Sequence, residues 1–168
     1  MVARAAGALN PQPGQAGSRG NTAMTTNFDL NAAPGHLIRR AHQISVAIFN
    51  AHLAAADVTP VQFAFLNALL DSPGIDQITL AKRVAFDPAT SGSVIGRLES
   101  KGWVARRADE TDRRRKLLVL TPTGLEALAG MQADVARVQA DILSPLAPHE
   151  QAQFMHLLRQ FVAGHEAP

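Results

Sequence analysis

The chain has 168 residues, 46% apolar and 18% charged, which suits one compact domain lengthened by arms that need a partner to bury them. It has no cysteine, which excludes disulfides, thiolate metal sites, thiol nucleophiles and cysteine-based redox sensing, and the simplest compartment is a reducing cytoplasm. The formal net charge is only +2, and no apolar run reaches the roughly 18 residues of a membrane span, so any basic patch is placed rather than spread over the surface.

Residues 1–27 read as a disordered extension: as far as Ala23 they are rich in Ala, Gly, Pro and Gln, and Met24 offers a second start. From Pro34 to Ala56, Leu37, Ala41, Ile44 and Ile48 recur at three and four residues, widened by Ile38, Phe49 and Leu53, which predicts a long amphipathic helix. Thr59-Pro60 is a cap and first-position pair. It opens a second helix in which Val61, Phe63, Phe65, Leu66, Leu69 and Leu70 are apolar almost all round, so that helix belongs inside. Asp71 to Gly74 breaks the chain, and Ile75 to Phe86 gives a short helix with Ile78, Ala81 and Val84 or Ala85 inward. After the turn Phe86-Asp87-Pro88, another helix runs to Lys101 and stops at Gly102. Its Val94, Ile95 and Leu98 point inward, leaving Thr90, Ser91, Ser93 and Arg97 as a polar face. Trp103 to Arg107 and Lys116 to Leu120 read as two strands around an Asp-rich turn. Thr121-Pro122 then opens a helix to Leu143, apolar at Leu125, Leu128, Met131, Val135, Val138 and Ile142. Beyond Pro145 and Pro148 a last helix carries Phe154, Leu157, Leu158 and Phe161.

The segment from Phe86 to Thr121 decides the function. Six of the 16 Lys and Arg residues fall between Arg106 and Lys116, against three acids, at a turn where no core could use them. A short helix, a tight turn, a helix with a polar face and a basic hairpin make a winged helix-turn-helix, a mainly α fold with a small β-hairpin wing. The second helix would enter the major groove of double-stranded DNA, with Thr90, Ser91, Ser93, Val94 and Arg97 as its contact set. At the wing, Arg113, Arg114, Arg115 and Lys116 would meet the neighbouring minor groove or its phosphates. Arg106 and Arg107 suit a phosphate contact or a solvated strand end equally well. Gly92 and Gly96 lie inside the recognition helix, each costing about 1 kcal/mol relative to Ala; close approach to DNA and tolerant packing both account for them.

Two motifs, L-x-x-x-G-W-V-x-R as Leu98 to Arg106 and D-x-R-x-x-x-L-x-L-T as Asp112 to Thr121, resemble the MarR family of bacterial transcription regulators, over about Pro34 to Gly164. The resemblance implies a MarR-type domain over 28–168, with the winged helix-turn-helix at about 60–121 and dimerisation helices at about 34–56 and 122–164. It implies that Asp112 positions Arg114 by a salt bridge, with Arg114 the minor-groove finger. It also implies an obligate homodimer on a pseudo-palindromic operator, whose half-sites lie about 34 Å apart. The apolar stripes of the first and last helices independently require some partner to cover them. Gly96 departs from the pattern, standing where an Asp is common.

The same resemblance implies a small effector, often an aromatic carboxylate or phenol, in a cleft between the dimerisation helices and the winged helix. Candidate contacts are His36, Arg39, Arg40, His42 and Gln43 on the first helix, with Phe63 and Phe65 as apolar walls. The runs PGHLIRR and TPVQFAFL resemble the nicotinate-degradation repressors, the NicR/BpsR-like subgroup, which implies 6-hydroxynicotinate as inducer, followed by 3-hydroxybenzoate and hydroxycinnamoyl thioesters. No cofactor or metal site is expected: His42 and His52 lack metal-ligand spacing, and no H-E-x-x-H, G-x-S-x-G, P-loop or dinucleotide fingerprint suggests an enzyme. A winged helix that binds only protein is the rival reading, and the arginine-rich wing argues against it.

Overall fold

The computed structural model describes residues 28–112 and 114–166; the expectations for 1–27 and for Arg113 lie outside them. Among the described residues the elements are α1 (Pro34–His52), α2 (Pro60–Asp71), β1 (Ile75–Asp76), α3 (Gln77–Arg83), α4 (Pro88–Ser100), β2 (Val104–Ala108), β3 (Lys116–Leu120), α5 (Pro122–Leu143) and α6 (Pro148–Glu166). Short 3-10 turns at Leu30–Ala32 and Ala54–Ala56 flank α1, so the first helix ends at His52, a turn earlier than its apolar pattern suggests.

Helix starts follow local chemistry. Thr59 and Gln62 form a reciprocal capping box at α2, Thr59 Oγ1 accepting from Gln62 N while Gln62 Oε1 accepts from Thr59 N. Asp76, Asp87 and Thr121 cap α3, α4 and α5 by accepting from backbone N–H groups of each first turn. Gly102, with φ +71°, takes the left-handed conformation that ends α4 and turns the chain into β2.

The sheet has three antiparallel strands in the order β1-β3-β2, with Val104 opposite Leu120, Ala108 opposite Lys116, and Ile75 opposite Leu118. The two-residue β1 is an addition to the expected hairpin, too short to show a periodicity of its own. Phe65, Leu66, Leu69, Leu80, Ile95, Leu98, Leu118, Leu128 and Val138 are fully buried and join the winged helix to α5 in one core. In α3 the inward residues are Leu80 and Ala81, whereas Ile78, expected inside, is 56% exposed. The Asp76 cap starts the helix at Gln77 and so rotates Ile78 outward. Leu70 and Leu125 are also exposed.

α1 packs along α5, but Leu37, Ile38 and Ile44 of α1 and Phe154, Leu157, Leu158, Phe161 and Val162 of α6 remain exposed, and α6 buries none of its residues. No helix among the described residues is long and apolar enough to cross a membrane.

Candidate nucleic-acid interface

α4 is presented as a rigid rod. Asp87 accepts from Ala89 N and Thr90 N, both at 3.2 Å, which fixes its first turn. Thr90, Ser93 and Arg97 are exposed, and Val94 is half-buried against the core. The Thr90 hydroxyl lies 3.1 Å from Asp87 Oδ2 and Ser93 donates to the Thr90 carbonyl at 2.9 Å, so both hydroxyls keep lone pairs free to accept. Ser91 is a correction to the expected contact set. It is fully buried, donates to the Pro88 carbonyl at 2.7 Å and accepts from Gln77 Nε2 at 3.1 Å, so it faces α3 and cannot reach DNA.

The wing sorts its cations into two groups. Arg106 Nε donates to Glu99 of α4 at 3.0 Å, and Arg115 reaches Asp76 at 3.3 Å and Asp109 at 3.5 Å. These arginines fasten the wing to α4 and to the start of α3. Arg107, Arg114 and Lys116 are exposed and form no ion pair among the described residues. The expected Asp112–Arg114 salt bridge is not formed: Asp112 Oδ1 instead accepts from the Arg114 backbone N–H at 3.0 Å, an Asx turn that shapes the tip and leaves the guanidinium unpaired. The carboxyls that hold the wing are kept ionised. Hydrogen bonds from Thr79, then Ile78 and Arg115, hold Asp76 below the ordinary aspartate value, and Thr111 hydrogen bonds, with smaller help from Arg115, do the same for Asp109.

Away from the wing, α1, α2 and α5 enclose an open cleft of about 270 Å³. It is lined by His42, Ser45, Val46 and Phe49, by Pro60 and Phe63, and by Val138, Gln139 and Ile142. Of the residues expected there, His42 and Phe63 are present; Phe63 meets Phe49 with ring centroids 5.9 Å apart. Phe65 is a correction: it is fully buried, edge-on to Phe86 at 5.7 Å, and is a core residue. His36, Arg39, Arg40 and Gln43 are not among the lining residues. Arg39 instead donates to Gln43 at 3.0 Å and lies 3.4 Å from His36 Nδ1.

Sequence reasoning missed Ser45 and Gln139, polar positions bordering the α1 and α5 stripes. It also missed Lys101, which donates to the Asp57 carbonyl and carboxylate at 2.5 and 2.7 Å and lies 4.8 Å from the Trp103 ring centroid. Asp57, at φ +47°, occupies the connection between α1 and α2, so Lys101 ties the end of α4 to that joint.

Residues 56–115 match the MarR family. The HTH-type transcriptional repressor NicR of Pseudomonas putida is 30% identical over 141 residues, 84% of this chain and 89% of NicR. Among solved structures, the PcaV transcriptional regulator from Streptomyces coelicolor, in complex with its natural ligand, superposes with a TM-score of 0.75 at 38% identity, covering 83% of this chain and 98% of PcaV. Bordetella bronchiseptica BpsR, described with a mechanism for regulation of its DNA binding by 6-hydroxynicotinic acid, gives a TM-score of 0.77 at 32% identity, covering 84% and 99%.

Proposed function

The chain belongs to the MarR family of transcriptional regulators, and we propose that it is a homodimeric operator-binding repressor released by a small hydroxylated aromatic acid such as 6-hydroxynicotinate. The carrying observation is the pairing of an exposed Thr90–Ser93–Arg97 face with a wing whose Arg107, Arg114 and Lys116 have no internal partner. Such side chains divide the work: those on α4 meet base edges, and those on the wing meet phosphates or a narrow minor groove. The exposed apolar faces of α1 and α6 supply the surface a second copy would cover, setting two recognition helices at half-site spacing.

The cleft has the dimensions and lining of a single-ring site. Phe49, Phe63, Val138 and Ile142 give apolar walls, and His42, Ser45 and Gln139 give groups able to bind a carboxylate, a ring nitrogen and a hydroxyl. Because α1, α2 and α5 all contribute, a ligand wedged there acts on the angle between the dimerisation helices and the winged helix. Weakening operator binding a hundredfold requires the ligand to prefer the non-binding geometry by about 2.7 kcal/mol. The similarity to NicR and BpsR supports 6-hydroxynicotinate as the acid, with 3-hydroxybenzoate next.

Fluorescence anisotropy on DNA from immediately upstream of the protein's own gene tests this. Tight, salt-sensitive binding released by 6-hydroxynicotinate is the expected result. Binding indifferent to that acid would retain the repressor and discard the inducer, and no binding to any neighbouring intergenic DNA would favour a protein-interaction role.

A further inference from the structure

One polar contact crosses between α3 and α4. Gln77, the first residue of α3, donates from Nε2 to Ser91 Oγ at 3.1 Å, and Ser91 donates onward to the Pro88 carbonyl at 2.7 Å. Ser91 is fully buried, so water does not compete for these bonds. Leu80, Ala81, Ile95 and Leu98 bury the same crossing, but apolar burial is non-directional and tolerates a small rotation of one helix on the other. The Gln77–Ser91–Pro88 relay does not, because hydrogen bonds lose their energy with small changes of distance and angle.

The same amide accounts for Gly92. A Cβ built there would lie 3.3 Å from Gln77 Nε2 and 3.9 Å from Oε1, and the amide could give way only by straining its bond to Ser91. Gly96 has nothing within 4 Å of the equivalent position, so the two glycines of this helix are not alike. Glycine weakens a helix interior relative to alanine, and at residue 92 there is an occupant that alanine would displace.

We infer that Gln77 is a positioning residue for DNA recognition: it sets the angle at which α4 presents Thr90, Ser93 and Arg97, acting through buried Ser91, and residue 92 is glycine to leave room for its amide. This rests on the DNA-binding reading above. It deepens that reading, because base-edge contacts depend on helix angle whereas phosphate attraction largely does not. Gln77 therefore governs discrimination between sequences more than overall affinity.

The test uses full-length wild type, Gln77→Ala, Gly92→Ala and the double variant, each titrated onto the operator duplex and a scrambled duplex of equal length, with melting temperatures alongside. Gly92→Ala should melt at or above the wild-type temperature yet bind operator about tenfold more weakly, a loss typical of a displaced base contact. Gln77→Ala should lose a similar factor, and the double variant should bind no more weakly than Gln77→Ala, since no amide is left to displace. The scrambled duplex should bind all four proteins alike. The inference is overturned if Gly92→Ala binds operator like wild type, if the two losses multiply in the double variant, or if both duplexes lose equally. Wild-type protein that binds neither duplex overturns the DNA-binding reading and this inference with it; wild-type binding that Gly92→Ala leaves intact overturns only the inference.

Discussion

Replacing Gly124 by alanine should unseat the wing from α5. Thr121 N donates to the Trp103 carbonyl at 3.0 Å, Thr121 Oγ1 donates to the Gly102 carbonyl at 2.6 Å, and Gly124 N donates to Thr121 Oγ1 at 2.9 Å. Together these bonds clamp the first turn of α5 onto the entrance to β2. A Cβ on residue 124 would press on the Trp103 carbonyl oxygen, with that carbonyl carbon 2.9 Å and Cα 3.0 Å away. All three are backbone atoms, so no rotamer change relieves the clash. The helix must lift by roughly 1 Å to restore contact distance, which costs about 1–3 kcal/mol of overpacking and about 1 kcal/mol for each clamp bond it stretches. A total near 3–4 kcal/mol lowers the melting temperature by about 10 °C for a chain of this size. Gly130→Ala is the matched control on the same helix: nothing lies within 4 Å of its Cβ position. It should stabilise by about 1 kcal/mol and raise the melting temperature by about 3 °C. Thermal unfolding followed by circular dichroism reads both. If Gly124→Ala melts within 2 °C or so of wild type, the seating of α5 on β2 described here is wrong.

Arg114→Ala should weaken binding to all duplexes and make the dependence of log K on log salt shallower by about one unit, the signature of one lost phosphate contact. Titrations across a salt series measure this, and an unchanged slope would remove Arg114 from the interface. Asp76→Ala should cost about 1 kcal/mol at neutral pH through the lost α3 cap. Because the folded-state pKa of Asp76 lies below its unfolded value, its ionic stabilisation is complete above the ordinary aspartate range and disappears as pH falls through the folded value. The gap between wild type and Asp76→Ala should therefore narrow below about pH 4, and urea unfolding that finds a constant gap would contradict the assignment. Leu157→Glu places a charge on the exposed apolar face of α6 and should shift the proposed dimer towards monomer at least about tenfold. Sedimentation velocity showing an intact dimer would move the interface elsewhere.

The parts of the fold legible in the sequence are those decided within four residues. Thr59, Asp87 and Thr121 were recognisable as caps because a cap bonds to its own first turn, and Gly102 was recognisable because only glycine takes its conformation cheaply. Ser91 was misplaced although a signal existed: with Ile95 and Leu98 it completes a four-and-three spacing, so its side chain shares their buried face. Reading it as a hydroxyl, not as a position, assigned it to DNA. Phe65 carries the same lesson, since Phe65 and Leu69 lie one turn apart on the buried side of α2, whereas Phe63, two residues earlier, turns towards the cleft. The third strand and the Arg115 pairing were out of reach of local reasoning. Asp76 lies 39 residues from Arg115 in the chain and meets it only because β1 joins the edge of β3.

That last contact explains how a chain with a formal net charge of only +2 can present a sharply basic surface. Its acids near the wing are not distributed evenly among its cations. Asp76 and Asp109 are spent on Arg115, and Glu99 on Arg106, so these two arginines act as struts that hold the hairpin against α3 and α4. Asp112, the remaining aspartate of the tip, turns its carboxylate to a backbone N–H. Had it paired with the Arg114 guanidinium instead, every DNA contact by that side chain would first have to break an internal ion pair. An exposed pair is worth little in stability, but its exchange would subtract from binding. Shaping the tip through the backbone gives the turn its geometry while keeping the guanidinium uncommitted. The cost of that arrangement is the rotamer entropy Arg114 surrenders when it binds. The struts limit the cost to that one side chain, because the backbone that carries it is already fixed.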